Sequence, residues 1–138
     1  MAKNFVFDEA DNISVPVPAD TRAGTPLRVG VLNVVTITDE GGAKQTINLG
    51  GGASLTQPSG SASGNKPGWA SARLKGSANL DVTGVAAFGD PVYIKGDNTL
   101  TTTATGNKLF GAALAAKTAP KAPLHVKIIN GGVAAASA

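Results

Sequence analysis

The residues that could carry acid–base chemistry or bind a metal are few and scattered along the chain. Asp39 and Glu40 form a carboxylate pair, but adjacent side chains in a turn point in different directions, so we predict a solvated hairpin tip. Asp8, Glu9 and Asp11 cluster near the N-terminus. They lack the alternating acidic spacing and the distal glutamate of a calcium loop. We interpret them as solvated loop charges.

Two further motifs only approximate the loops that bind nucleophiles or phosphates. Residues 60–64 read Gly-Ser-Ala-Ser-Gly, with alanine where a nucleophile elbow needs serine. Residues 106–108, Gly-Asn-Lys, fail the phosphate-loop pattern on both sides. His125 is the single histidine, and the chain has no cysteine, so thiolate zinc sites and disulfides are excluded. The sequence therefore predicts no enzymatic activity, no cofactor and no metal site.

The composition points to a lean core and a weakly charged surface. Hydrophobic residues make up 42% of the 138 residues and charged residues 15%, below the ~25% usual for a globular domain. Most apolar side chains are small, which limits the core of a monomer, so we expect folded copies to share surface with something. The net charge is +3, and the Lys and Arg residues are scattered along the chain rather than clustered. We therefore expect neither a nucleic-acid nor a membrane partner. The N-terminal residues lack the apolar region of a secretory signal.

Short β-rich segments separated by glycine, proline, aspartate and asparagine dominate the N-terminal half. Residues 13–18 alternate with period two, and their prolines suit an edge strand or an extended arm. Residues 31–38 and 43–49 predict a β-hairpin around a tight turn at 39–42. Residues 50–68 are rich in glycine and serine and predict a long flexible loop, which is either functional or a tolerated insertion.

The C-terminal half continues this pattern. Residues 69–74, 79–85 and 124–128 predict strands, and 109–117 favours a strand over a short helix because Gly111 interrupts it. The prediction is an all-β fold, a small β-barrel or β-tulip-like single domain. It comprises an extended N-terminal arm (1–18), a β domain (19–130) containing the flexible loop 50–68, and a small-residue tail (131–138).

Several motifs are specific in combination. Gly-Asp-Pro-Val-Tyr at 89–93 is followed by Thr-Thr-Thr-Ala-Thr-Gly-Asn at 101–107 and Phe-Gly-Ala-Ala-Leu at 110–114. The chain opens with Met-Ala-Lys-Asn-Phe-Val and carries Gly-Thr-Pro-Leu at 24–27. In this order the motifs resemble the small bacteriophage capsid cement, or head decoration, proteins. The resemblance covers about residues 1–48 and 79–130.

That resemblance implies an all-β protein without enzymatic activity on the outer surface of a virion, made in the host cytoplasm. It implies the major capsid protein as partner, and homotrimers at threefold or quasi-threefold positions that clamp neighbouring subunits of the expanded shell. A ligand that binds the assembled shell but not its loose subunits stabilises the shell by mass action.

Two contact regions follow as expectations. The N-terminal arm could add a strand to a sheet edge of the capsid protein; alternatively, it is the first strand of the domain's own sheet. The candidate capsid-contact residues are Ala2, Lys3, Asn4, Phe5, Val6, Phe7, Ile13, Val15 and Val17. Trp69 either packs in the core or anchors a subunit or partner contact.

Two other functional classes remain open from the residues. One is a different structural part of the virion, such as a head-fibre base or a tail component. The other is a small glycan-binding β module, for which only Trp69 and Tyr93 could supply an aromatic platform.

Overall fold

The computed structural model describes residues 11–60 and 64–130, and within them the chain forms eleven strands and no α-helix. The prediction of a small all-β fold is confirmed. The strands are β1 (Asn12–Pro16), β2 (Pro26–Val29), β3 (Leu32–Thr36), β4 (Lys44–Gly50), β5 (Ala53–Pro58), β6 (Trp69–Arg73), β7 (Ser77–Thr83), β8 (Pro91–Ile94), β9 (Leu100–Thr101), β10 (Lys108–Ala113) and β11 (Lys121–Ile128).

The N-terminal half builds a four-stranded antiparallel sheet in the order β1-β6-β3-β2. Its inward face buries a small cluster of Val15, Leu27, Val34 and Ala72. β1 is an edge strand, one of the two alternatives that its prolines suggested, and Pro16 suits that place because proline cannot donate to a further strand.

The C-terminal half closes a five-stranded barrel in the order β10-β11-β7-β9-β8. β7 and β11 alternate between exposed and buried residues over their length, because one side of each faces the barrel interior. Phe110 is the largest fully buried side chain inside. Gly111 lies where β10 approaches β11, and a Cβ there would collide with the carbonyl oxygen of Lys127. Only glycine allows the two strands to pair at that point.

The junction between sheet and barrel centres on Asn33, whose side chain is buried. Its Nδ2 donates to the carbonyl oxygens of Leu109 at 2.9 Å and Ile129 at 2.8 Å, and its Oδ1 accepts from Arg28 at 2.8 Å. Asn130 completes the junction by accepting from the Asn33 backbone N–H and donating to its carbonyl. One asparagine on β3 thereby fixes the barrel to the sheet.

Two sequence predictions about the middle of the chain are wrong. β3 does not form a hairpin with residues 43–49: it pairs with β2 and β6, and β4 pairs with β5 instead. The predicted flexible loop 50–68 contains β5 and the segment 64–68 that precedes β6. Residues 61–63 lie outside the described residues. The loop prediction failed because residues 53–58 acquire order by pairing with β4, which local composition does not reveal.

Candidate functional site

The arm residues proposed for capsid contact divide into two groups. Ala2, Lys3, Asn4, Phe5, Val6 and Phe7 lie outside the described residues, as does the tail 131–138. Residues 12–16 form β1 and pair with β6, so the alternative of a strand in the domain's own sheet holds there. Val15 is buried and Ile13 and Val17 pack against the same cluster. These three side chains pack within the protein, and their part in a capsid contact stays a prediction.

Asp39 and Glu40 are buried rather than solvated, which corrects the prediction of a hairpin tip. Asp39 Oδ2 accepts from Ser59 Oγ at 2.5 Å and from Arg22 Nη1 at 3.1 Å, and Oδ1 accepts from the Ala23 N–H at 2.9 Å. The pKa of Asp39 lies below its ordinary value, mainly because of the hydrogen bond from Ser59 and then because of that from the Ala23 N–H. The Arg22 guanidinium lowers the pKa further, while burial acts in the opposite direction. Asp39 is therefore a structural anion, fully hydrogen-bonded.

Glu40 performs the same role one residue further on. Its Oε1 accepts from the Gly68 N–H, and its Oε2 lies 3.4 Å from the Asp20 N–H. These bonds, with that from Gly42, lower the pKa of Glu40, the Gly68 bond contributing most. Asp39 and Glu40 thus tie four separate stretches of chain together at the base of β4 and β5. We call this cluster the carboxylate clamp.

The β4–β5 hairpin projects from the carboxylate clamp with nearly every residue exposed. Arg22 Nη2 donates to the Lys44 carbonyl at 2.7 Å, and the Ser59 N–H donates to the Ala43 carbonyl at 2.8 Å, so the base of the hairpin is fixed on both strands. Gly50, Gly51 and Gly52 all have positive φ and form the turn. A two-stranded hairpin is at best marginally stable in water by itself, which makes the clamp necessary.

The hairpin is two-faced. On one side Ile47 lies opposite Leu55, and Leu49 follows Ile47 by two residues, at an irregularity in the strand pairing; Ile47, Leu55 and Leu49 are 40%, 47% and 63% exposed. On the other side Thr46 lies opposite Thr56, with their hydroxyls 3.4 Å apart. We call the first side the apolar face and the second the polar face.

A second exposed apolar group lies at one end of the barrel, on the loop 84–90. Phe88 is 72% exposed, the highest exposure among the large apolar side chains of the described chain, and Val85 is 60% exposed. The loop is held by a β-bridge between Ala86 and Lys117 and by the Gly89 N–H, which donates to a carbonyl of β10 at 2.7 Å. Sequence reasoning missed Phe88; its place in a Gly-bounded turn segment was the available signal.

A third group lies beside the Asn33 junction. Val31, in the turn between β2 and β3, is 59% exposed, and Leu32, the first residue of β3, is 36% exposed; Leu109, whose carbonyl binds Asn33, is 44% exposed. The three groups therefore lie on three different parts of the fold: the hairpin, one end of the barrel, and the junction of barrel and sheet.

Trp69, the other predicted contact, is half-buried at the start of β6, and the Lys66 ammonium lies 4.5 Å from the centroid of its ring. This cation–π contact covers part of the ring with a chain neighbour. Tyr93 is half-buried on β8, in the barrel. Trp69 belongs to the four-stranded sheet and Tyr93 to the barrel, and both rings are partly buried.

An open groove of about 920 Å³ runs between β2 and the barrel wall formed by β7, β9 and β11. Asp97 lies on its rim and accepts from Thr99 Oγ1 at 2.6 Å; this bond is the main cause of the lowered pKa of Asp97. Asn98 reaches from the same turn toward the Arg28 N–H, 3.4 Å away. Together with Pro26, which has no N–H, Asn98 protects the outer edge of β2 against pairing with another strand.

His125 lies on the exposed side of β11, and its Nε2 is 2.7 Å from Ser77 Oγ. In residues 11–60 and 64–130, no three His, Asp or Glu side chains converge as metal ligands do. The same residues contain no helix of the length and hydropathy needed to cross a bilayer. The sequence matches no protein-family model, and comparisons with curated proteins and with solved structures found no significant match.

Proposed function

We propose that this protein is a capsid decoration protein that binds the outer surface of a phage head and stabilises the mature shell, as a trimer at threefold or quasi-threefold positions. The major capsid protein is its partner in this proposal. The motifs at residues 89–93, 101–107 and 110–114 support the proposal, because their succession along the chain resembles that family.

The structural observation that carries the proposal is the distribution of exposed apolar side chains. A protein that holds neighbouring capsid subunits together must offer more than one adhesive surface on one body. Here the three groups lie on the hairpin, on the loop 84–90 and at the junction turn, and each is attached through backbone or side-chain hydrogen bonds. Exposed apolar groups on several parts of one fold support an interaction role, because contiguous apolar patches mark interaction sites.

Phe88 is the residue we expect to contribute most to shell binding. An exposed aromatic side chain on a loop fixed by hydrogen bonds can enter a pocket at little cost in conformational entropy. Burying it fully is worth roughly 1.5–3 kcal/mol, so Phe88→Ser should weaken binding roughly tenfold or more.

The test measures binding of the purified chain to phage heads that lack it, by co-sedimentation, and the temperature at which those heads release DNA. We expect the wild-type chain to bind and to raise that temperature, and Phe88→Ser to do both less well. Thr103→Ser, a change on an exposed barrel loop, is the matched control. Failure of the wild-type chain to bind heads, or binding along tails instead, would refute the proposal.

The N-terminal arm is tested in the same assay. Removing residues 2–10 leaves β1 intact, whereas a longer deletion would also remove Asn12 from its pairing with Arg73. We expect the shortened chain to keep its thermal stability and to lose binding to heads. Undiminished binding would exclude the arm as a contact.

A further inference from the structure

Within residues 11–60 and 64–130, the apolar face of the hairpin between residues 44 and 58 is exposed. Ile47, Leu49 and Leu55 form a short apolar ladder, and β4 and β5 are exposed except at Gln57. The clamp holds the hairpin at its base only. These apolar side chains contribute to stability only where something covers the face.

Charge decides which partner the face suits. The protein carries a net charge of +3, so the overall electrostatic interaction between two copies is weakly repulsive. Residues 45–65 contain no Asp, Glu, Lys or Arg, and the hairpin faces lie within that stretch. An oppositely charged partner would be bound by lysines, and the apolar face has none. A neutral apolar ladder complements a second neutral apolar ladder, which a second copy of this chain supplies.

We propose that the apolar face of the β4–β5 hairpin is the surface through which copies of this chain contact one another. The proposal deepens the function proposed above, on which it rests for the number of copies, by naming the surface at which they meet. The polar face, with Thr46 and Thr56, remains in water.

The size of the face sets the strength of the contact. Six paired positions along the hairpin correspond to a ribbon about 20 Å long and about 10 Å wide. A face-to-face pair then buries on the order of 400 Å², well under the roughly 1,200 Å² of a stable specific interface. We therefore expect weak association in solution. On a shell, copies held side by side have a high effective concentration, and the same weak contact forms there.

Single cysteines test the contact, because the chain has no native cysteine. Leu55→Cys puts a thiol on the apolar face and Thr56→Cys puts one on the polar face of the same strand. Under mild oxidation of the concentrated full-length protein, we expect Leu55→Cys to form a disulfide between copies at least tenfold faster than Thr56→Cys does. Each rate is divided by that of the same variant with a small disulfide reagent, which corrects for thiol exposure and reactivity.

A second substitution separates loss of contact from loss of the hairpin. Adding Ile47→Lys to Leu55→Cys places like charges in the contact and should return the crosslinking rate to that of Thr56→Cys. Adding Thr46→Lys, the same charge on the polar face, should leave it unchanged. Equal normalised rates for Leu55→Cys and Thr56→Cys overturn the proposal, as does crosslinking that survives Ile47→Lys.

No shell is present in these measurements, so they are independent of the proposed capsid function. Binding of Leu55→Lys and Thr56→Lys to phage heads tests whether the capsid protein, rather than a second copy of the chain, covers the apolar face. If crosslinking at position 55 is no faster than at 56 while Leu55→Lys alone loses binding to heads, the face docks on the capsid protein, and our proposal is wrong.

Discussion

Asn33→Asp is the substitution that tests the architecture most directly. It keeps the size and shape of the side chain but replaces the Nδ2 donor with an acceptor oxygen. That oxygen would face the carbonyls of Leu109 and Ile129, which now accept hydrogen bonds at 2.9 and 2.8 Å. The carbonyl of Phe110 loses a longer contact of 3.3 Å but keeps its bond from the Ile129 N–H.

The expected cost follows from these bonds. Two partly buried carbonyls lose their bond from Asn33, at about 1 kcal/mol each, and the penalty for opposing oxygens adds to this, while Arg28 offsets part of it. We expect a loss of about 3 kcal/mol in the free energy of unfolding at pH 7, a substantial part of the total for one domain. The midpoint of thermal unfolding should fall by roughly 10 °C.

The assay is urea and thermal unfolding followed by circular dichroism, with Asn48→Asp as control. Asn48 lies exposed on the polar face of the hairpin, so the same chemical change there should alter stability by no more than about 0.5 kcal/mol.

Opposing carbonyls raise the folded-state pKa of the carboxyl that Asn33→Asp introduces, so the loss of stability is present at neutral pH. It should shrink as pH falls through that pKa, because protonation returns one donor. Equal midpoints for the two variants at pH 7 would show that Asn33 does not hold barrel and sheet together.

Three further outcomes are expected. The pKa values of Asp39 and Glu40 are lowered on folding, so their stabilising effect is present at neutral pH and is lost as pH falls from about 4 through the folded-state values; in urea titrations Asp39→Asn should be less stable at pH 7 and show a shallower decline in acid. Gly111→Ala should destabilise the barrel by roughly 1–3 kcal/mol or more, since its Cβ meets backbone, whereas Gly96→Ala, which has open space, should have little effect; equal unfolding midpoints for these two variants would contradict the strand geometry. Amide hydrogens of β4 and β5 should exchange faster than those of β7 and β11, because the hairpin is exposed on both faces; equal protection measured by mass spectrometry would mean that another part of the protein covers the hairpin.

Local pattern predicted the elements of the barrel well. The alternation in residues 124–128 marks β11, and Gly111 argued correctly for a strand over a helix at β10. These signals are local, because side chains of a half-buried strand alternate whatever the partner strand is. The same signals could not name the partner. β3 and β4 are neighbours in sequence with a turn motif between them, yet each pairs with other strands.

The carboxylate clamp shows the same limit in the site. Asp39 and Glu40 next to two glycines are typical of a solvated turn, and no local feature indicates burial. Their hydrogen-bond donors come from Ala23, Ser59 and Gly68, between 16 and 28 residues away. Burial of a carboxylate is tolerable only when such donors converge on it, and that convergence depends on the whole chain path.

The sequence by itself determined that this protein is built from short strands, lacks thiol chemistry and carries a neutral stretch at residues 45–65, because composition and period-two alternation are properties of the chain alone. Tertiary structure decided which strands pair, that β1 belongs to the domain's own sheet, and that Phe88 and the apolar face of the hairpin remain exposed. Those outcomes depend on contacts between residues far apart in sequence, whose free energies no local window contains.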